Sequence, residues 1–355
     1  METWQQSLHD GLTDPAELAR RFGLDPAPLA AVVRRYPMRI TPHYLQLIEA
    51  PGDPIWRQCV ADPAELAVDE LTDDPLAEEN LSPVPTVIHR YPDRAVLLTG
   101  NDCAVYCRFC TRKRRVGCRS GALSFDAVLA GIDYLARTPA VRDVLLSGGD
   151  PLLLSDAQLQ EILERVRRLP QVEIIRIGTR LPVTLPERIT DPLVTMLRRF
   201  HPLFVNTHFN HPRELTPAAA EACRRLADAG IVLGNQTVLL RGVNDTPEVM
   251  APLLTGLLRL RVRPYYLHQM DLVRGTGHFR TRVEEGMALV QALRGKVSGL
   301  AIPHYVIDLP GGKGKVPIQP EYLQRLGDTV TLRTAAGELV DYPNLAADIY
   351  TDKCR

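Results

Sequence analysis

The chain has 355 residues, with 42 Lys and Arg against 42 Asp and Glu, so no global field draws it to nucleic acid or anionic lipid. Apolar residues make up 45% of it, enough for a sizeable core, and no apolar run is long enough to span a bilayer. The seven cysteines do not read as the disulfide framework of a small secreted domain, and the start, Met1-Glu2-Thr3-Trp4, lacks a basic flank with an apolar stretch behind it; a cytoplasmic location is expected.

Residues 1–90 read as helices and polar turns with no strand pattern, an N-terminal helical appendage. Asp14-Pro15-Ala16-Glu17 carries an N-cap, a proline at the first helical position and an acid in the first turn. Similar segments follow at 26–35 and 42–50, and then proline-rich connections. From about residue 95 short apolar runs alternate with amphipathic stretches. The runs are 95–99, 141–146, 172–177, 203–208, 231–239, 263–268 and 302–307. The stretches lie near 124–137, 155–168, 188–200, 216–229, 247–260 and 283–294. Doubly buried strands alternating with helices imply an α/β fold with a parallel sheet, a full or partial (β/α) barrel over 91–310. Residues 311–355 form a C-terminal extension, a glycine-rich loop followed by a hairpin of 328–333 and 338–342.

In such barrels the loops at the C-terminal strand ends carry the chemistry. Three unusual clusters fall there: Cys103-x3-Cys107-x2-Cys110, Ser147-Gly148-Gly149-Asp150 and Thr207-His208-Phe209-Asn210-His211. Three thiolates at this spacing suit three corners of a [4Fe–4S] cubane and leave the fourth iron open to another molecule, whereas structural zinc takes four protein ligands. A zinc knuckle or a chance cluster is the alternative. The loop Gly311-Gly312-Lys313-Gly314-Lys315 holds two of the five lysines. It lacks the P-loop spacing, and its lysine suits a Schiff base with an aldehyde such as pyridoxal phosphate, or else it is a solvated basic turn.

The cysteine spacing resembles the radical S-adenosylmethionine (SAM) superfamily, in which the open iron chelates SAM and reduction releases a 5′-deoxyadenosyl radical. The chain from about 36 to 325 resembles the lysine 2,3-aminomutase family within it. The matching segments include Ser82–Pro85, His89–Arg94, Cys103–Arg114, Asp143–Asp150, Asn206–Pro212, Leu233–Gln236, Leu240–Asp245, Arg263–Tyr266 and Asp308–Lys315. The resemblance implies a partial barrel of the radical SAM type and an isomerase that moves the α-amino group of a basic amino acid, L-lysine first, from C2 to C3. It implies three cofactors: a [4Fe–4S] cluster on Cys103, Cys107 and Cys110, SAM near Gly148, Gly149, Asp150 and His208, and pyridoxal phosphate on Lys315 with Arg94 and Gln236 in contact. Arg112 is implied to grip the substrate carboxylate, and Asp271 with Asp308 the side-chain ammonium. A flavodoxin- or ferredoxin-type one-electron reductant and a homo-oligomer are expected, with no nucleic-acid or membrane partner.

Many relatives add a cysteine-rich tail that binds zinc between subunits with a cysteine after the Val-Asn-Asp turn. Here Thr246 follows that turn and the tail offers only Cys354, so that basis for zinc and for the subunit arrangement is missing. An arginine-specific enzyme, or one that supplies β-lysine to elongation factor P, would use much the same acidic pair. A non-catalytic iron–sulfur or zinc protein is the alternative of another class.

Overall fold

The computed structural model describes residues 3–68, 70–118 and 123–344; Cys354 lies outside them. A nine-stranded sheet runs in strict chain order: β1 (Val87–Tyr91), β2 (Arg94–Leu98), β3 (Asp143–Ser147), β4 (Ile174–Gly178), β5 (Leu203–Thr207), β6 (Val232–Leu239), β7 (Val262–Gln269), β8 (His304–Leu309) and β9 (Gly314–Pro317). Strands β2 to β8 are mutually parallel and coincide with the seven apolar runs of the sequence. Helices such as Phe125–Ala136, Asp156–Arg167 and Pro217–Asp228 make the crossovers. This is the expected partial barrel. The stretch near 188–200 is broken into short turns around one helix, Asp191–Leu197, rather than forming one long helix.

Two strands of this sheet were not foreseen, and both lie at its edges. Residues 87–91, in the region read as strandless, form β1, which pairs antiparallel with β2 across a turn at Pro92-Asp93. Its neighbours Pro83 and Pro85 and its polar centre, His89-Arg90, hid it. The glycine-rich loop runs into β9, antiparallel to β8 with Asp308 opposite Lys315. Gly311 and Gly312 hold φ of +72°, which reverses the chain between the two strands. The edges meet across a seam. Arg90 of β1 pairs with Asp308 of β8, and the Lys315 backbone N–H donates to the Tyr91 hydroxyl at 3.1 Å.

Along β3 and β4 the burial alternates. Val144, Leu146, Ile175 and Ile177 are fully buried, while Leu145, Ser147 and Arg176 are half-buried and line a cavity. The barrel is therefore packed against its helices and hollow inside. The N-terminal helices share its core: Trp4, Leu18, Val32, Tyr44 and Ile55 belong to one buried cluster with Val144, Ile175 and Leu203. Asp14 caps its helix as expected, accepting from the Ala16 N–H at 2.8 Å. The expected hairpin is present as β11 (Thr329–Arg333) and β12 (Leu339–Pro343), joined by a third strand, β10 (Leu323–Arg325). Among the described residues no helix is long and apolar enough to cross a membrane.

Candidate active site

The barrel encloses a cavity of about 560 Å³ that runs from its C-terminal rim into its interior. Cys107, Cys110, Arg112, His208 and Asp271 line it near the rim, and Arg94, Gln236, Asp308 and Lys315 line it along the strands. Nine of the expected site residues thus meet around one space. Cys103, Gly148, Gly149 and Asp150 do not line it.

The cysteine loop is held from outside the barrel. Arg39 donates to Asp102 at 2.6 Å and to the Cys103 carbonyl at 3.1 Å. The Arg108 N–H donates to the Gln58 carbonyl, and its guanidinium forms a two-pronged pair with buried Glu65. Burial raises the Cys103 thiol well above its ordinary value, and burial with the neighbouring Cys107 raises Cys110 to about 11. Metal uptake must therefore expel protons from these sulfurs. Among the described residues no three His, Cys, Asp or Glu side chains are disposed to hold a single metal ion. A cubane instead takes each thiolate at a separate iron, and the donor set fits it.

The Gly148–Asp150 segment has a clear local task. The Gly149 N–H donates to the Gly100 carbonyl at 2.7 Å, and the Asp150 N–H to the Asp102 carbonyl at 2.8 Å. A Cβ on Gly149 would lie 2.1 Å from the Asp102 carbonyl oxygen, and Gly148 has φ of +116°. The two glycines let the end of β3 seat the loop that carries the three cysteines. The Asp150 carboxylate accepts from the Thr179 hydroxyl at 2.7 Å and from the Arg180 N–H at 2.7 Å; burial nevertheless lifts its pKa to about 6.

His208 is half-buried against Phe109 with a ring-centroid distance of 5.4 Å, and its buried Nε2 has no partner. Burial, and then Arg180, hold it well below its usual pKa, so it is neutral and offers a free ring nitrogen beside the cavity. That orphaned atom, the three thiols and the Lys315 amine suit a site built for bound groups.

Arg112 does not present an empty fork. Its Nε and Nη2 engage Glu78 at 2.8–3.1 Å, and its Nη1 donates to the Ser147 hydroxyl at 3.2 Å. Asp271 accepts from the Thr111 hydroxyl at 2.9 Å, and burial raises it to about 6. Asp308 is buried too, but Arg90 and then Lys315 outweigh that and hold it below the ordinary carboxylate range. Arg94 lies over the Tyr91 ring and pairs with Asp93 at 2.9 Å.

Sequence reasoning missed Glu78, Arg90, Thr111 and Arg180. Glu78 and Arg90 sit in the region read as an appendage. Thr111 lies between Cys110 and Arg112, and a lone threonine there carries no signal of its own. Only the fold brings Arg180 to the cluster loop, so no local pattern could have marked it.

Similarity to known proteins agrees with this geometry. Residues 97–251 match the radical SAM superfamily, and residues 290–354 match a model described as lysine-2,3-aminomutase. An L-lysine 2,3-aminomutase of Fusobacterium nucleatum is 47% identical over 96% of this chain and 81% of its own length. One from Clostridium subterminale is 45% identical over 99% of this chain and 88% of its own. A glutamate 2,3-aminomutase of Clostridioides difficile is 41% identical over 95% of this chain and 81% of its own. The chain belongs to the lysine 2,3-aminomutase family of radical SAM isomerases, whose cofactors are a [4Fe–4S] cluster, SAM and pyridoxal phosphate.

Proposed function

From that membership we propose that this chain converts L-lysine to β-lysine, with the barrel cavity as its active site. The observation that carries the reading is one cavity lined by Cys107, Cys110, Arg112, Asp271, Asp308 and Lys315 together. Cys103, Cys107 and Cys110 hold the cluster, Lys315 holds pyridoxal phosphate with Arg94 and Gln236 beside it, and His208 with the Gly148–Asp150 segment borders SAM. When bound, these groups supply hydrogen abstraction at an unactivated carbon and a conjugated system through which the nitrogen can migrate.

The protein's own residues bind and aim the substrate. Arg112 takes the carboxylate through the guanidinium edge that Glu78 leaves open, and Ser147 steadies Nη1. Asp271 and Asp308 supply negative charge for the side-chain ammonium, which favours lysine over glutamate, since an anionic side chain would meet two carboxylates. Fixing both ends sets which carbon faces the radical source. An arginine substrate would use the same acidic pair, so the substrate assay must include it.

The one-electron donor is a flavodoxin- or ferredoxin-type protein, and the working form is a homo-oligomer. Exposed Leu323, Leu339 and Tyr342 on the C-terminal sheet support a second copy packing there. The decisive assay is anaerobic turnover of lysine, arginine, glutamate and ornithine by the reconstituted protein, read by amino-acid analysis. β-Lysine as the main product is expected, and preferred turnover of glutamate would refute the reading. In parallel, Cys118→Ala should keep full iron content, while alanine at Cys103, Cys107 or Cys110 should lose the cluster.

A further inference from the structure

One cluster cysteine has a charged partner. Arg180, just beyond β4, is 7% exposed, and its Nη1 lies 2.9 Å from the Cys107 sulfur. Its other N–H groups are also used. Nε donates to the His208 carbonyl at 3.1 Å, and Nη2 reaches the Tyr44 hydroxyl, Gln58 Oε1 and Glu214 Oε1 at 2.7–2.9 Å. Glu214 is fully buried and is itself fixed, with its second oxygen accepting the backbone N–H groups of Asn210 and His211. Phe109 and Tyr44 present their rings to the guanidinium at 5.4 and 5.2 Å. A cation and an anion are thus locked in a water-poor wall, with the cation touching a cluster ligand.

We propose that Arg180 is a positioning residue that raises the cluster's reduction potential through its N–H···S bond to Cys107, and that Glu214 tempers the effect. The inference rests on Cys103, Cys107 and Cys110 holding the cluster. Reduction moves one electron from the external one-electron donor to the cluster and adds one negative charge to it. A hydrogen-bonded cation on a ligand sulfur stabilises the reduced state more than the oxidised one, and low polarity around it amplifies the difference. The buried Glu214 carboxylate, paired with the same guanidinium through Nη2, acts with the opposite sign. Tyr44 and Gln58 tie the pair to the N-terminal helices, so those helices help to set the electronic environment of the cluster.

The test is an anaerobic redox titration of the reconstituted full chain, followed by the electron paramagnetic resonance signal of the reduced cluster, with iron content measured on each sample. Arg180→Gln should shift the midpoint to more negative potential, and Glu214→Gln should shift it to more positive potential. Arg180→Lys, which keeps the charge but cannot span all the acceptors, should fall between wild type and Arg180→Gln. Opposite shifts at full iron content support the proposal; a purely structural role would lower iron content without moving the midpoint. Unchanged midpoints, or shifts in the same direction, overturn it. If Arg180→Gln takes up no iron, Glu214→Gln decides alone, and an unchanged or lowered midpoint overturns the proposal. A wild-type protein that takes up no cluster would instead sink the cysteine assignment itself.

Discussion

Asp308 and Lys315 face each other across the β8–β9 pair, with the lysine Nζ 2.6 Å from the Asp308 carboxylate. The resemblance assigned them separate tasks, one to substrate and one to cofactor. The fold makes them one ion pair, with Arg90 as a second cation on the same carboxylate. On the proposed roles, a Lys315 amine that held the cofactor aldehyde would be drawn from this pair, with Arg90 left as the fixed cationic partner of Asp308 and the substrate ammonium as a candidate for the vacated contact.

Replacing Asp308 by Asn removes that carboxylate while keeping its shape. Lysine turnover should fall by at least ~10²-fold, since a buried charge-assisted contact is worth roughly 3 kcal/mol. Iron content should stay at the wild-type level, because Asp308 is remote in sequence from the cysteine loop and makes no bond to it. Normal turnover of lysine by this variant would refute a basic substrate.

The pyridoxal phosphate should be found on Lys315 and not on Lys313. Lys315 lines the cavity, whereas Lys313 is exposed. Peptide mass spectrometry after borohydride reduction of the holoenzyme distinguishes them, and an adduct on Lys313 would overturn the placement of β9 at the site.

What the sequence made legible follows from how local each signal is. The seven parallel strands could be read because each is an apolar run buried on one side against helices. The cysteine triplet could be read because one loop supplies all three thiols. The edge strands could not: Val87–Tyr91 is half polar because it faces the cavity, and Gly314–Pro317 looks like a flexible turn. Arg112 and Asp271 stand out in the sequence as side chains, but their partners Glu78 and Thr111 do not, since an ion pair or hydrogen bond across the fold leaves no periodic trace. The 1–90 region read as an appendage because its helices carry no catalytic motif. Its Arg39, Glu65 and Glu78 nevertheless clamp the cysteine loop.

Lysine binding should strengthen as pH rises through about 6. Burial holds Asp271 neutral up to that point; nearby Asp308 pushes in the same direction, and Thr111, Lys315 and Arg90 push against it. Arg280 also stands close enough to feel the Asp271 charge. A cation is attracted only by the ionised carboxylate, so KM should rise on the acid side by up to ~10-fold per pH unit. Thr111→Val removes the hydroxyl donor that favours ionisation and should move the break to higher pH. A KM that is flat between pH 5 and 8 would remove Asp271 from substrate binding.

Glu78 should matter through Arg112. Its carboxylate takes the Nε–Nη2 edge and so fixes which edge faces the cavity. In Glu78→Gln the guanidinium loses a charge-assisted partner and its fixed orientation. We expect KM for lysine to rise by at least ~10-fold, while kcat falls much less, in line with a charged hydrogen bond worth about 1.5–3 kcal/mol. An unchanged KM would mean that Arg112 orients itself without Glu78.

Glu65 should be the strongest single stability determinant of the cluster loop. Its side chain is fully buried and accepts from Arg108 at 2.6 and 2.9 Å, from Lys113 at 2.5 Å and from the Asp62 N–H at 2.8 Å. Lys113 also stands 4.6 Å from the centre of the Tyr36 ring. Glu65→Ala leaves two buried cations without a carboxylate and should cost about 3–5 kcal/mol, or roughly 4–7 °C in Tm. The pH dependence of that loss has a definite sign. Burial, and then Arg108, already lower Lys113 to about 8, while Glu65 pulls it upward. Without Glu65 its pKa falls further, so the native state binds fewer protons than the unfolded chain over a wider range. Stability then rises with pH across that range. The Tm deficit of Glu65→Ala against wild type should therefore be largest at or below neutral pH and shrink as pH rises toward 9.5. Calorimetry at pH 7 and 9.5, with iron content measured alongside, tests both parts. A deficit that grows with pH would show that Lys113 is not the group left stranded.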